Sequence, residues 1–208
     1  MSEAKASAAE SSRAVVLTAA SLIAAIMIER LVGRLGELSN GQVLWGSTSG
    51  VLVQSALILV AIVNWWEFYA TVTSVGRWIL SPLDLLAPIA VGTVALLQIE
   101  NLSQDVTTEF LTLGTITFLG GVLISRTVVA GMKRGAPPGA GPFDSYPARW
   151  IDVLFVGAAL ALGTACLLRF TASPHPTVLN SLILLAVAQD AVIVVLQLRW
   201  WSRTTRPD

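Results

Sequence analysis

The sequence predicts an all-α integral membrane protein, a bundle of six transmembrane helices. Three observations predict it. Hydrophobic residues make up 54% of the 208 and charged residues 12%, roughly half the ~25% charged share of a soluble domain. Mean hydropathy is +0.73, too apolar for a disordered chain and too poor in charge to cover a water-facing surface. The apolar residues also fall in continuous runs, without the sustained alternation of a membrane β-barrel strand.

A bilayer-spanning helix needs about 20 mostly apolar residues, and six stretches qualify: residues 14–35, 45–66, 79–99, 108–130, 151–170 and 178–200. The first follows a Ser/Ala-rich leader and is longer than a signal-peptide core, with no small-x-small cleavage site after it. It therefore reads as a retained span. The second opens on GSTSG and the fourth ends before the Gly/Pro-rich stretch 135–142. The third begins SPLDLLAP, where Pro82 suits a helix start and Pro88 interrupts the backbone ladder one turn after Asp84. The expected organisation is a disordered cytoplasmic leader over 1–13, a six-helix domain over 14–203 and a cytoplasmic tail over 204–208.

With six spans both termini share a side with the second and fourth loops. Lys5, Arg13, Arg77, Lys133, Arg134, Arg149, Arg199, Arg203 and Arg206 fall on that side; only Arg30, Arg34 and Arg169 fall on the other. Basic residues are retained in the cytoplasm, which predicts cytoplasmic termini and an inner (plasma) membrane location. Trp65, Trp66, Trp78, Trp150, Trp200 and Trp201 lie at span ends on the same side, as indole rings favour the headgroup layer.

A displacement of 96 residues sets 17–32 (LTAASLIAAIMIERLV) on 113–128 (LGTITFLGGVLISRTV), with Arg30 on Arg126 and Ile28 on Ile124. Halves of three helices insert in opposite senses, so a true repeat would be an inverted 3+3 repeat of the kind found in transporters. Chance matching between two Leu/Ala/Val/Gly helices is the competing explanation, and the second and fifth spans hardly match.

Polar residues inside the spans are the candidate functional groups. Asp190, beside Gln189, lies at the middle of the sixth span; an acid there costs about 2.5–3.5 kcal/mol on insertion scales and reads as an ion or proton site by default. Asp84 and Arg126 fall at similar depth and are expected to pair. Glu29, Arg30 and Glu100 lie at the other end, lining an outer vestibule or snorkelling to the headgroups. Gln54, Asn64 and Gln98 are expected to hydrogen bond inside the bundle. Gly46 and Gly50, and Gly157 and Ala161, form small-residue faces suited to close helix packing.

Other chemistries lack their residues. Net charge is zero, with thirteen basic and thirteen acidic residues, so electrostatic capture of nucleic acid is not expected. The single histidine, His175, sits in a Ser-Pro-His-Pro loop, and Cys166 is the single cysteine. No metal site, haem site, disulfide or cofactor is expected from them. The only lysines, Lys5 and Lys133, lie outside the spans, and no P-loop, GxSxG or HExxH pattern occurs. Catalytic residues are therefore not expected. The sequence predicts an ion or proton channel or transporter in the lipid bilayer. A homo-oligomer, or membership of a membrane complex, is expected; the competing expectations are a non-catalytic structural or regulatory subunit of a larger membrane complex and a membrane effector controlled by a soluble partner.

Overall fold

A computed structural model describes residues 3–39, 49–75, 82–134 and 145–204, and they are almost entirely helical. The helices are α1 (Glu3–Ser39), α2 (Ser49–Val75), α3 (Pro82–Glu100), α4 (Thr108–Arg134), α5 (Ala148–Thr171) and α6 (Pro176–Thr204). Five of them are long and apolar enough to cross a membrane. The sixth, α3, has 19 residues and so runs for about 28 Å at 1.5 Å per residue, close to the ~30 Å hydrocarbon thickness.

Two boundaries differ from the sequence expectation. The leader is not separate: α1 starts at Glu3, because EAKASAAESSRA is rich in alanine and other good helix formers. The second helix does not stop at Trp66 but continues to Val75. Its added turns carry threonines whose hydroxyls bond back to the helix, as Thr73 Oγ1 does to the Tyr69 carbonyl at 2.8 Å. This extension takes Glu67 into the body of the helix.

The helices close into a ring in the order α1, α3, α4, α5, α6, α2 and back to α1. In the first half of the chain α1 is the helix flanked by its two partners, whereas in the second half it is α5. A 96-residue repeat would map α1 onto α4 and α2 onto α5, so the ring does not superpose on itself. Among the described residues, the packing carries no inverted 3+3 repeat.

Polarity is distributed inside out relative to a soluble protein. Gln54 and Asp190 are fully buried, and Asn64, Gln98 and Gln197 nearly so, while Phe170, Leu123 and Trp150 stand exposed on the outer surface. Hydrocarbon solvates such an exterior, and interior polar groups then hold the helices to one another. Small residues permit the closest approaches. A Cβ on Gly92 would lie 2.5 Å from Ile23 Cγ2, one on Gly157 2.7 Å from Gln189 Nε2, and one on Gly50 2.9 Å from the Gln104 carbonyl oxygen. Ala161 is buried on the same helix as Gly157. Gly46 lies outside the described residues.

The connection 101–107 between α3 and α4 folds over the end of the bundle opposite the chain termini. Leu102 and Val106 insert into the core. The Leu102 carbonyl accepts from Arg34 Nη2 at 3.3 Å and the Ser103 carbonyl from Gln54 Nε2 at 2.8 Å. Phe110 N donates to Thr107 Oγ1 at 3.1 Å, satisfying an otherwise orphaned amide in the first turn of α4. At the terminal end, Tyr146 and Trp200 meet edge to face with centroids 5.0 Å apart, and Trp200 Nε1 donates to Ser145 Oγ at 3.2 Å. These contacts seat the start of α5 against the end of α6.

Candidate functional site

Inside the ring lies a cavity of about 70 Å³ with walls from all six helices. Its polar lining includes Asn64 from α2, Gln98 from α3, Ser125 from α4, and Asp190 and Gln197 from α6; Met27, Phe118 and Phe155 are among its apolar walls. A space of that size with several polar partners is large enough to hold a few water molecules.

Asp190 is the centre of this lining. It is fully buried, and Asn64 Nδ2 donates a hydrogen bond to its Oδ1. Asp190 Oδ2, Asn64 Oδ1 and Gln197 Oε1 are buried without a protein partner. All three are acceptors on residues that line the cavity, whereas buried polar atoms in proteins are nearly always bonded. Among the described residues no ion pair reaches Asp190; its bonded partner is a neutral amide. The arrangement has the chemistry of an acceptor site: it can take a proton, or it can coordinate a small cation through carboxylate and amide oxygens.

The other predicted site residues divide. Gln189 does not line the cavity but lies against Gly157, at the α5–α6 contact. Arg126 contacts an acid on α5. Its Nε donates to Asp152 Oδ2 on α5 at 2.9 Å, and its side chain is 67% exposed. From its position on α4 the side chain leaves the ring outward, toward α5. The Asp84 side chain lies outside the described residues. At the opposite end Arg30 and Glu100 do meet, through Nε–Oε1 at 2.5 Å and Nη2–Oε2 at 2.8 Å, while Arg30 and Arg34 each bond Glu37. That two-pronged contact ties α1 to α3. Glu29 is exposed and takes no part in it.

Glu67 is the functional candidate that sequence reading passed over. It is buried on α2, three residues from Asn64 and hence on the same helix face. Its Oε1 accepts from Thr71 Oγ1 at 3.2 Å, and its Oε2 is buried without a partner. Tyr146, also buried, lies within electrostatic reach of Glu67 and Asp152 and beside Ser125, and Gln197 Nε2 approaches its hydroxyl at 3.5 Å. Burial pushes the Tyr146 phenol well above its ordinary range, so it is a neutral hydroxyl at any working pH.

His175 serves its own turn: its Nδ1 accepts from the Thr177 amide at 3.3 Å at the start of α6. Cys166 is a free thiol against Thr112. Among the described residues, no three His, Cys, Asp or Glu side chains gather as a metal site. No protein-family model, no curated protein and no solved structure matches the chain.

Proposed function

We propose that this bundle carries a small cation across a membrane, in its simplest form the proton, and that Asp190 is the site the cation occupies on the way. One observation carries the reading: a fully buried carboxyl midway along α6 faces a cavity walled by all six helices, with one oxygen bonded to a neutral amide and the other unpartnered. A helix that only had to span would be more stable with an apolar residue there, by about 2.5–3.5 kcal/mol on insertion scales. Position 190 is also too far from either helix end for the short Asp side chain to reach the headgroups. An acid in that place is compensated by what binds it. The outward-turned Arg126 supplies no internal charge, which favours an exchangeable cation over a fixed ion pair.

The excess of basic residues at the terminal end supports cytoplasmic termini in a plasma or bacterial inner membrane. The close-packing faces at Gly157 and Gly92 are used within the chain.

The test is flux in liposomes. Purified protein with an enclosed pH indicator is expected to dissipate an imposed proton gradient under a potassium diffusion potential, and Asp190→Asn to reduce that rate at least tenfold. Sodium and potassium gradients measured in parallel identify the cation. Absence of flux for all three, or an Asp190→Asn protein as active as the unmodified one, overturns the proposal. Recovery of the protein in a stable complex with other membrane proteins, together with that absence, would favour a subunit role.

A further inference from the structure

Among the described residues two buried acids, Glu67 and Asp190, lie in the interior of the bundle. Asp190 reaches the central cavity; Glu67 does not, and lies nearer the terminal end. Along α2, Glu67 is about 4.5 Å beyond Asn64, the residue that holds Asp190. Along α6, Gln197 is about 10 Å beyond Asp190 in the same direction. Gln197 lines the cavity on one side and approaches the Tyr146 hydroxyl on the other. Tyr146 in turn belongs to the same buried cluster as Phe68, the residue next to Glu67 on α2. The polar groups therefore continue from the cavity toward the terminal end, through walls that are otherwise apolar: Phe68, Tyr69, Val72, Ile151 and Ile193 surround them.

We infer that Glu67 is a second proton-carrying carboxyl, and that Gln197 and Tyr146 join it to Asp190 as a path for protons between the cavity and the terminal end of the bundle. The inference rests on the reading of Asp190 as a cation site and names the cation as the proton. In the transfer, the O–H bond of the Asp190 carboxyl breaks and a new O–H bond forms on the Glu67 carboxylate. The hydroxyl of Tyr146 and water in the cavity pass the proton on by gaining one and giving one up. No electrons move, and the negative charge passes from Glu67 to Asp190. Gln197 is a positioning residue: its amide donates to Tyr146 Oη and so orients the phenol.

The charged and titratable groups around this path are few. At the start of α5, Tyr146 shares a buried cluster with Phe68, and Glu67 and Asp152 both act on it electrostatically. Asp152 is engaged by the outward-turned Arg126 of α4. On α1, Arg13 stands near the terminal end with its Nε unpartnered, and on α6 the acid is Asp190 itself. None forms an ion pair with Glu67 among the described residues. Carboxyls of this kind differ from structural acids in having to change protonation during turnover.

Infrared difference spectroscopy on the protein in lipid reads this directly. Raising the pH is expected to bleach carbonyl-stretch bands of two protonated carboxyls, one lost in Asp190→Asn and the other in Glu67→Gln, with the surviving band titrating at a different pH in each variant. In liposomes, Glu67→Gln is expected to slow proton flux at least tenfold, and Glu67→Asp, which keeps a carboxyl, to recover part of it. Tyr146→Phe is expected to slow flux while both infrared bands remain. A Glu67→Gln protein with unchanged proton flux, or one whose spectrum has lost no titrating band, overturns the inference and leaves the Asp190 proposal standing. Flux of sodium or potassium alone overturns it as well, again without touching Asp190. Two coupled bands in a protein that moves no cation would overturn both the proton path and the transport reading.

Discussion

Asn64 on α2 donates its side-chain amide to Asp190 on the neighbouring α6, joining residues 126 positions apart in the chain. Both are buried, so the bond is shielded from competition by water. Asn64→Leu would remove the donor and leave the carboxyl without its protein partner. The expected cost is about 1–3 kcal/mol, the range for stranding a buried polar group. A lowered thermal midpoint in detergent checks it. Asn64→Leu combined with Asp190→Leu should recover most of the loss, because two apolar groups strand nothing.

The contact of α1 with α3 depends on the absence of one side chain. A Cβ at Gly92 would lie 2.5 Å from Ile23 Cγ2, and a β-branched residue on a helix has little rotamer freedom to yield. Gly92→Ala is therefore expected to destabilise the protein by about 1–3 kcal/mol. Ile23→Ala in the same chain should relieve it. A double-mutant cycle on thermal midpoints measures the coupling, and additivity would contradict the contact.

Arg30 and Glu100 hold the same two helices at the end of the bundle, but in an exposed setting. Glu100→Gln is expected to lower the thermal midpoint at low salt and to have no measurable effect at about 1 M salt, where the screening length is about 3 Å. A salt-independent loss would mean that the pair acts by packing instead of charge.

Tyr146 gives the fold an alkaline limit. Its folded-state pKa lies above the ordinary phenol value, so the neutral form stabilises the fold. That contribution is complete below about pH 10, the unfolded value, and is lost as pH rises from there toward the folded value. The thermal midpoint should fall above about pH 10, and Tyr146→Phe should flatten part of that fall. A Tyr146→Phe protein with the same alkaline slope would contradict the assignment.

Much of this architecture is legible in the sequence, because hydrocarbon imposes few solutions. Long apolar runs must be helices, and Asp190 could be singled out since nothing else in its span is charged until Arg199. What escaped reading depends on the third dimension. Trp65 and Trp66 resemble the boundary belt of a span, and Glu67 immediately after them looks like the first solvated residue. The helix instead runs on, and the Asn64–Glu67 spacing, one turn apart on one face, was the available signal. That Arg126 would turn outward to Asp152 was likewise hidden, since helix rotation is set by packing that composition does not record. The match of 17–32 to 113–128 shows the same limit: similar letters do not give α1 and α4 equivalent neighbours in the ring.

The segment 101–107 has a mechanical consequence. Through three consecutive residues its backbone touches α1 and α2: Leu102 and Ser103 accept from Arg34 and Gln54, and Gln104 lies against Gly50. It also continues directly into α3 and α4, while Leu102 and Val106 are driven into the centre like a wedge. Four helices are thus fastened to one short strap, and none of them can swing away from the axis at that end without dragging the others. If the bundle carries a cation as proposed, opening at that end would move four helices together, so a flexible insertion at Gln104 is expected to uncouple them and speed proton leakage in liposomes without altering either acid.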